Sequence, residues 1–182
     1  MVEDLAQALL EIIINSVKAN AKRIIILFQK SNLNNEIAME VEDDGKGMDE
    51  DSLSKATTPF YTERTTRKIG LGLPFFKGLA EMLNGTFVIT STPNIGTKVR
   101  LTVQNDHIDL PKQGDLGEMM MIAIGADPSV DYQFTYRNND QEFIFKTEEV
   151  KEILQTDKID DPEVLIWIRE YIDQEIEGLN RR

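Results

Sequence analysis

The most informative segment of this chain reads Asp43-Asp44-Gly45-Lys46-Gly47-Met48 and follows a stretch, residues 36–42, in which apolar and acidic residues alternate. Alternation with a period of two predicts a half-buried strand that ends at this segment. Glycines let a flat ring approach the backbone without meeting a Cβ atom, and an ionised carboxylate accepts a hydrogen bond from an exocyclic amine, such as the amine of adenine. From these residues alone, an adenine site and a β-turn with a solvated acid both remain open.

The beginning of the chain predicts an amphipathic helix over residues 3–20, because apolar side chains recur there at three- and four-residue spacings. Glu11 and Asn15 lie four residues apart in this helix and therefore project from the same face. An asparagine amide oxygen suits Mg²⁺ when phosphates and waters fill the other positions, and a carboxylate one turn away can orient an attacking water. An ordinary polar helix face is the alternative interpretation.

A second glycine-containing segment, residues 68–74, joins a long polar stretch to another helical pattern. The start of a helix brings together free backbone N–H groups and the positive end of the helix dipole, and it therefore favours phosphate. The segment lacks the lysine and hydroxyl pair of a Walker loop, and it does not follow a strand as a dinucleotide fold requires.

Residues 49–68 predict a short helical turn and a long binding loop or lid. Residues 57–68 hold three bases and one acid, a balance that suits a triphosphate.

The remaining patterns predict an α+β fold, a two-layer sandwich of a mostly antiparallel sheet with helices on one face. Residues 23–28, 86–91 and 97–103 predict strands, and residues 70–83 a helix that stops at Asn84-Gly85. Beyond residue 103 the sequence predicts a helix or strand over 118–126, a hairpin from 132–136 and 142–145, and helices over 148–154 and 162–179. We therefore predict a nucleotide-binding domain over 1–103 and a small acidic α+β region over 104–182.

Composition excludes several kinds of site. The 182-residue chain has no cysteine and one histidine, which rules out thiolate sites and histidine-based metal clusters.

The net charge of the chain is −12, with 13 acids and 12 bases in residues 1–103 but 19 acids and 8 bases in residues 104–182. This balance argues against nucleic-acid or anionic-membrane binding. The acidic region is either a well-solvated surface or a docking face for a basic partner. Without a transmembrane run or a basic leader, the expected location is the cytoplasm.

Five short motifs occur in an order that resembles the GHKL superfamily, which groups the gyrase, heat-shock chaperone, histidine-kinase and mismatch-repair ATPase domains. They are the helix motif from Glu11 to Ala21, the Asp43 loop, Pro59-Phe60-Tyr61-Thr62, Gly70-Leu71-Gly72-Leu73 and Gly96-Thr97. The resemblance spans residues 4–103. Its first motif looks more like the mismatch-repair version, and the third and fourth look more like histidine kinases and anti-sigma-factor serine kinases.

The resemblance implies an ATP site that requires Mg²⁺. Asn15 would hold the metal, and Glu11 would be the catalytic residue. Asp43 would bind adenine in two ways, directly at the exocyclic amine of the base and through a water that lies beside Thr97. The implied nucleotide-binding residues are Asn15, Lys18, Asp43, Gly45, Gly47, Met48, Phe60, Thr62, Lys68, Gly70, Leu71, Gly72, Leu73 and Thr97. Gly45 and Gly47 would line the ring, and Gly70 to Leu73 would surround the phosphates.

Two departures from the superfamily shape the expected function. A sensor kinase carries an upstream helical hairpin with a phosphoacceptor histidine, whereas here the chain opens inside the first helix and His107 follows the last strand. We likewise expect no transducer domain of the kind that gyrase and mismatch-repair proteins place after this fold. We therefore expect a small stand-alone ATPase, or a protein kinase-like regulator acting on Ser, Thr or His. The alternative is a non-catalytic, nucleotide-gated module of anti-sigma type. Expected partners are ATP and a regulatory protein that engages the lid or the acidic tail, and a homodimer is compatible with the sequence.

Overall fold

The computed structural model describes residues 4–57 and 72–181. The helices are α1 Leu5–Lys18, α2 Glu50–Ala56, α3 Gly72–Met82, α4 Leu116–Ala126, α5 Thr147–Leu154 and α6 Pro162–Asn180. The strands are β1 Arg23–Ser31, β2 Glu36–Asp43, β3 Thr86–Thr92, β4 Gly96–Gln104, β5 Asp131–Asn138 and β6 Gln141–Lys146. In these two ranges, no helix is both long and apolar enough to span a bilayer.

These strands form one sheet in the order β3-β4-β2-β1-β5-β6. Neighbouring strands are antiparallel except β1 and β5, which run parallel over eight paired residues. Helices α1, α3, α5 and α6 pack on one face of this sheet, so side chains alternate between core and solvent: Ile24 and Ile26 are buried and Ile25 is exposed. The predicted α+β sandwich is confirmed. The sheet also continues past residue 103, while the functional division at that residue stays a prediction.

Helix α1 lies across the centre of this face and presents the residues of the predicted site. Asp4 caps its start, because the Asp4 carboxylate accepts a hydrogen bond from the Gln7 backbone N–H at 2.8 Å. Leu5, Leu9 and Ile13 are buried, as the spacing predicts. One face of α1 therefore forms part of the core, and Ser16 near the end of the helix reaches Asp43 at the end of β2.

Residues 118–126, which fit either a helix or a strand by sequence, belong to α4. This helix packs against both α1 and α6 and buries one stripe that includes Met119, Met120 and Ala123. Apolar residues also occupy its exposed positions, such as Ile122 at 43% exposure, so the sequence lacks the polar face that identifies an amphipathic surface helix. Asp115 caps α4 through the Glu118 backbone N–H and pairs with Arg169 of α6 at 2.6 Å. The cap and the ion pair together fix the start of the helix.

Glu40 lies on the open face of the sheet between Lys98 and Arg100, with nitrogen–oxygen distances of 2.8 and 3.0 Å. Burial alone would raise the pKa of Glu40. The hydrogen bonds and positive charges of the two bases outweigh burial, so the pKa lies below its ordinary value of 4.5. A carboxyl whose pKa falls on folding stabilises the fold above its unfolded-state pKa, and this contribution is lost as the pH falls through the folded-state pKa.

We expect Glu40→Gln to lower the free energy of unfolding at neutral pH by about 1 kcal/mol, because two charge-assisted hydrogen bonds weaken. As the pH falls from 4.5 through the lower folded-state pKa of Glu40, the difference from the parent should shrink, since the carboxyl becomes protonated first in the unfolded chain and then in the folded protein. Urea unfolding of the parent and the variant, at neutral pH and below pH 4.5, measures this difference in the free energy of unfolding. Glu42→Gln is the matched control, because Glu42 is 49% exposed and pairs with Lys98, and it should have a smaller effect. A loss for Glu40→Gln that does not change with pH would contradict this account.

Candidate functional site

Asp43 lies at the end of β2, opposite Thr97 of β4 in the sheet register. Its side chain points towards α1, where the Ser16 hydroxyl donates a hydrogen bond to Oδ2 at 2.6 Å. The Gly45 backbone N–H donates to Oδ1 at 2.9 Å. One bond from the helix and one from the following loop therefore fix the orientation of the carboxylate.

This carboxylate retains capacity for a ligand. An ionised carboxylate offers about four acceptor sites, and the contacts from Ser16 and Gly45 use two of them. Asp43 is also only half-buried, so a ligand can reach it. The remaining lone pairs suit an exocyclic amine and a water, which fits the predicted adenine contact.

The two glycines after Asp43 have identifiable roles in folding the loop. Gly47 has φ of +62°, and a Cβ atom there would overlap the Thr92 carbonyl oxygen. Gly45 is buried, and a Cβ atom there would lie 2.9 Å from both the Cβ and the carbonyl oxygen of Ala19. Both glycines thus let the loop pack closely on the end of α1 and on β3. Their lining of the adenine ring stays a prediction.

Ser91 on β3 connects the Asp43 loop to the Gly96-Thr97 motif. Its hydroxyl accepts a hydrogen bond from the Met48 backbone N–H at 2.8 Å and lies 2.8 Å from the Thr97 hydroxyl. The same hydroxyl also donates a hydrogen bond to the Gly96 carbonyl oxygen at 3.1 Å. Two of the predicted motifs therefore form one hydrogen-bonded unit around Asp43.

Sequence reasoning missed Ser16 and Ser91 as site residues. Both occupy positions where the local period places an apolar side chain: Ser16 on the buried stripe of α1, and Ser91 on the inward face of β3 after Phe87 and Ile89. A hydroxyl at an inward-facing position needs a hydrogen-bond partner. This was the signal that could have identified them.

The start of α3 lies beside the predicted metal and catalytic residues. A Cβ atom on Gly72 would lie 3.2 Å from Asn15 Nδ2 and 3.2 Å from Glu11 Cβ. Glu11 is exposed and Asn15 half-buried, so both are accessible to a ligand. Lys18 is exposed on the same helix, and Leu73 packs partly buried against the core. The structure thus brings the Glu11–Asn15 pair and the start of α3 together.

Several predicted residues lie outside the described ranges, namely Phe60, Thr62, Lys68, Gly70 and Leu71. Their roles, and the lid over residues 57–68, stay predictions. His107 is described: its Nδ1 accepts a hydrogen bond from the Asp109 backbone N–H at 3.2 Å. That contact makes His107 part of the turn after β4.

A family model matches the first part of this chain. The family described as "Histidine kinase-, DNA gyrase B-, and HSP90-like ATPase" matches residues 2–107. The chain therefore belongs to this family of ATPases, which confirms the resemblance to the GHKL superfamily and supports ATP binding.

The similar curated proteins are sensor kinases and sensor proteins. The sensor histidine kinase YvrG of Bacillus subtilis is 36% identical over 91 residues, and the match covers 48% of this chain and 16% of that protein. The sensor protein DegM of Bacillus sp. strain B21-2 is 29% identical over 97 residues, covering 53% of this chain and 26% of DegM. The matched part is thus about a quarter or less of each relative.

Two solved structures align with this chain. The Aquifex aeolicus MutL ATPase domain complexed with ADP has 16% identity and a TM-score of 0.49, and the alignment covers 86% of this chain and 70% of that one. The catalytic domain of histidine kinase ThkA has 21% identity and a TM-score of 0.42, covering 54% of this chain and 64% of that one.

Proposed function

We propose that the protein is a Mg²⁺-dependent, stand-alone cytoplasmic ATPase or protein kinase-like regulator that acts in signal transduction. The observation that carries this proposal is the Asp43 carboxylate, oriented by Ser16 and Gly45 with acceptor capacity to spare, on the same side of the sheet as the Glu11–Asn15 pair. Asp43 would accept a hydrogen bond from the adenine amine. Guanine carries an oxygen at that position, and this oxygen would face the carboxylate unfavourably. The affinity for a guanine nucleotide should therefore be much lower than that for ATP.

Asn15 would hold Mg²⁺ through its amide oxygen, with nucleotide phosphates and waters as the other ligands. In residues 4–57 and 72–181 no group of three or more His, Cys, Asp or Glu could hold a metal ion, so a metal here would depend on the nucleotide. Bound Mg²⁺ would neutralise charge on the phosphates. Glu11, one turn from Asn15, would orient the attacking water or hydroxyl, because phosphoryl transfer needs mainly positioning and charge stabilisation.

A second candidate is a non-catalytic, nucleotide-gated interaction module of anti-sigma type. The observation that favours it is the acid excess in α5 and α6, helices that pack on strands of the same sheet as Asp43. In this alternative, nucleotide binding would alter a surface that engages a partner, and the γ-phosphate would remain in place.

Incubation with γ-labelled ATP, alone and with a bacterial lysate, separates the two candidates. Released phosphate or a labelled protein band is expected if the protein is an ATPase or kinase. Saturable ATP binding with neither product would support the interaction module.

Glu11→Gln should lower the rate of phosphate release or transfer by about 10²-fold or more, because a positioned general base is removed. The Kd for Mg-ATP should change by less than about 3-fold, since Glu11 acts on the nucleophile and not on the adenine or the metal. Glu81→Gln, the same change on an exposed residue of α3, is the control and should keep the parental rate. If Glu11→Gln kept the parental rate, the catalytic role of Glu11 would be wrong.

A further inference from the structure

An apolar groove of roughly 300 Å³ lies between α5 and α6. Its lining residues are Val150, Ile153, Leu154, Glu163, Val164 and Trp167. Ile153 is 77% exposed, Trp167 49% and Leu154 43%. Large apolar side chains this exposed and this close together indicate a surface that a partner covers.

One wall of the groove is held rigid by aromatic rings. Trp167 and Tyr171 stack in parallel with ring centroids 5.3 Å apart, and Tyr171 meets Phe143 of β6 edge-on at 5.6 Å. Rigid aromatic anchors contribute much of the binding energy in protein interfaces, because they lose little conformational entropy on binding. The α5/α6 groove is therefore preformed on this side.

The groove lies away from the nucleotide site. The helix α6 packs on β6 and β5, and β6 is one edge of the sheet. Asp43 and Thr97 belong to β2 and β4, the third and second strands from the opposite edge. A ligand in the groove therefore needs no contact with ATP.

The segment that forms the groove has an excess of acidic residues, and Glu163 is one of the lining residues. Residues 146–181 contain 11 acidic and 5 basic residues. Four of the five bases are already paired, as Lys146–Glu149, Lys151–Asp131, Arg169–Asp115 and Arg181–Glu177. Glu163 and Glu170 lie one helical turn on either side of Trp167, and no base in the described parts of the chain pairs with them. The rim thus carries negative charge that the protein itself does not neutralise there.

The apolar lining and the acidic rim together indicate which kind of molecule binds in the groove. A second copy would bring another acidic face, since the chain has a net charge of −12, and like charges across an interface are costly. Anionic lipid and nucleic acid are disfavoured for the same reason. An amphipathic helix fits, because apolar residues spaced at i, i+3, i+4 and i+7 can enter a groove while flanking Lys and Arg meet an acidic rim.

We propose that the α5/α6 groove binds an amphipathic basic helix of a partner protein. This interaction goes beyond the proposed ATP-dependent function and requires no nucleotide, so its test is made without ATP.

Trp167 is the single tryptophan of the chain and lies in the groove, so its fluorescence reports directly on occupancy. The probe is a synthetic peptide of about 14 residues made of Leu and Lys, with Leu at i, i+3, i+4 and i+7. Titration of the full chain should give saturable binding with a blue shift of Trp167 emission. A peptide of the same composition without an apolar face, and a Leu/Glu peptide with the original spacing, should both bind at least about 10-fold more weakly.

Two matched variants locate the binding surface. Ile153→Gln should weaken binding of the Leu/Lys peptide by about 10-fold, because an apolar contact in the groove is lost. Leu33→Gln removes a side chain that is 84% exposed in the β1–β2 turn and should leave binding unchanged. Both replaced side chains are mostly exposed, so neither variant should affect folding.

Three results would overturn the proposal. Equal binding of the peptide without an apolar face would show that charge alone is responsible. Unchanged affinity in Ile153→Gln would place the peptide elsewhere. A stable dimer by sedimentation that Ile153→Gln dissociates would make a second copy the occupant.

Discussion

Asp43→Asn is expected to weaken Mg-ATP binding by about 10²-fold or more. The parent carboxylate offers only acceptors to the adenine amine, whereas an asparagine can turn a donor N–H₂ towards it and leave the pair mismatched. The Ser16 hydroxyl at 2.6 Å would also lose its charged acceptor. Isothermal titration calorimetry of the purified variant with Mg-ATP measures the change.

Asp44→Asn is the matched control for this experiment. The Asp44 carboxylate accepts hydrogen bonds from the Lys22 and Arg23 backbone N–H groups at 2.7 and 2.9 Å, and an asparagine oxygen can accept the same two. Its ATP affinity should therefore stay within about 3-fold of the parent. Equal losses in the two variants would indicate general disruption of the loop, and no loss in Asp43→Asn would remove Asp43 from the site.

Phe134→Ala is expected to lower the free energy of unfolding by about 3–5 kcal/mol, because it leaves a cavity at a fully buried position. Phe134 lies on β5 with 0% exposure, between Ile26 of β1 and Phe145 of β6. Urea unfolding followed by circular dichroism and by Trp167 fluorescence measures the loss. Both signals should change in one transition, because β5 is paired with β1 along its whole length.

Ile144→Ala is the control for this prediction. Ile144 belongs to the neighbouring strand but is 42% exposed, so its truncation should cost less than about 1 kcal/mol. Two separate unfolding transitions, with the fluorescence change first, would contradict a single folding unit. They would favour independent folding of residues 1–103 and 104–182.

Local periodicity predicted most elements of the fold because each depends on neighbours within one or two turns. The alternation over residues 36–42 identified β2, and the spacing of Leu5, Leu9 and Ile12 identified α1. Parallel pairing of β1 with β5 could not be predicted in this way, since it joins residues more than 100 positions apart through side chains with no local signature. The ambiguity of α4 has another cause, because apolar residues such as Ile122 occupy its exposed side as well as its buried stripe.

The site shows the same division between local and long-range information. The position of Asp43 at the end of a strand and before a glycine-containing loop could be predicted, because these residues are contiguous in sequence. The Ser16–Asp43 hydrogen bond spans 27 positions, and the contact that requires glycine at position 47 comes from Thr92. Partners of this kind become visible only when the strands are paired.

Calorimetric titration of the purified protein with Mg-ATP and with Mg-GTP tests the central claim most directly. A carboxylate that reads the adenine amine predicts saturable ATP binding and GTP binding at least about 10³-fold weaker, because an unpaired buried polar group discriminates steeply. Equal affinity for the two nucleotides, or no binding of ATP, would contradict the assignment of Asp43 as the adenine acceptor.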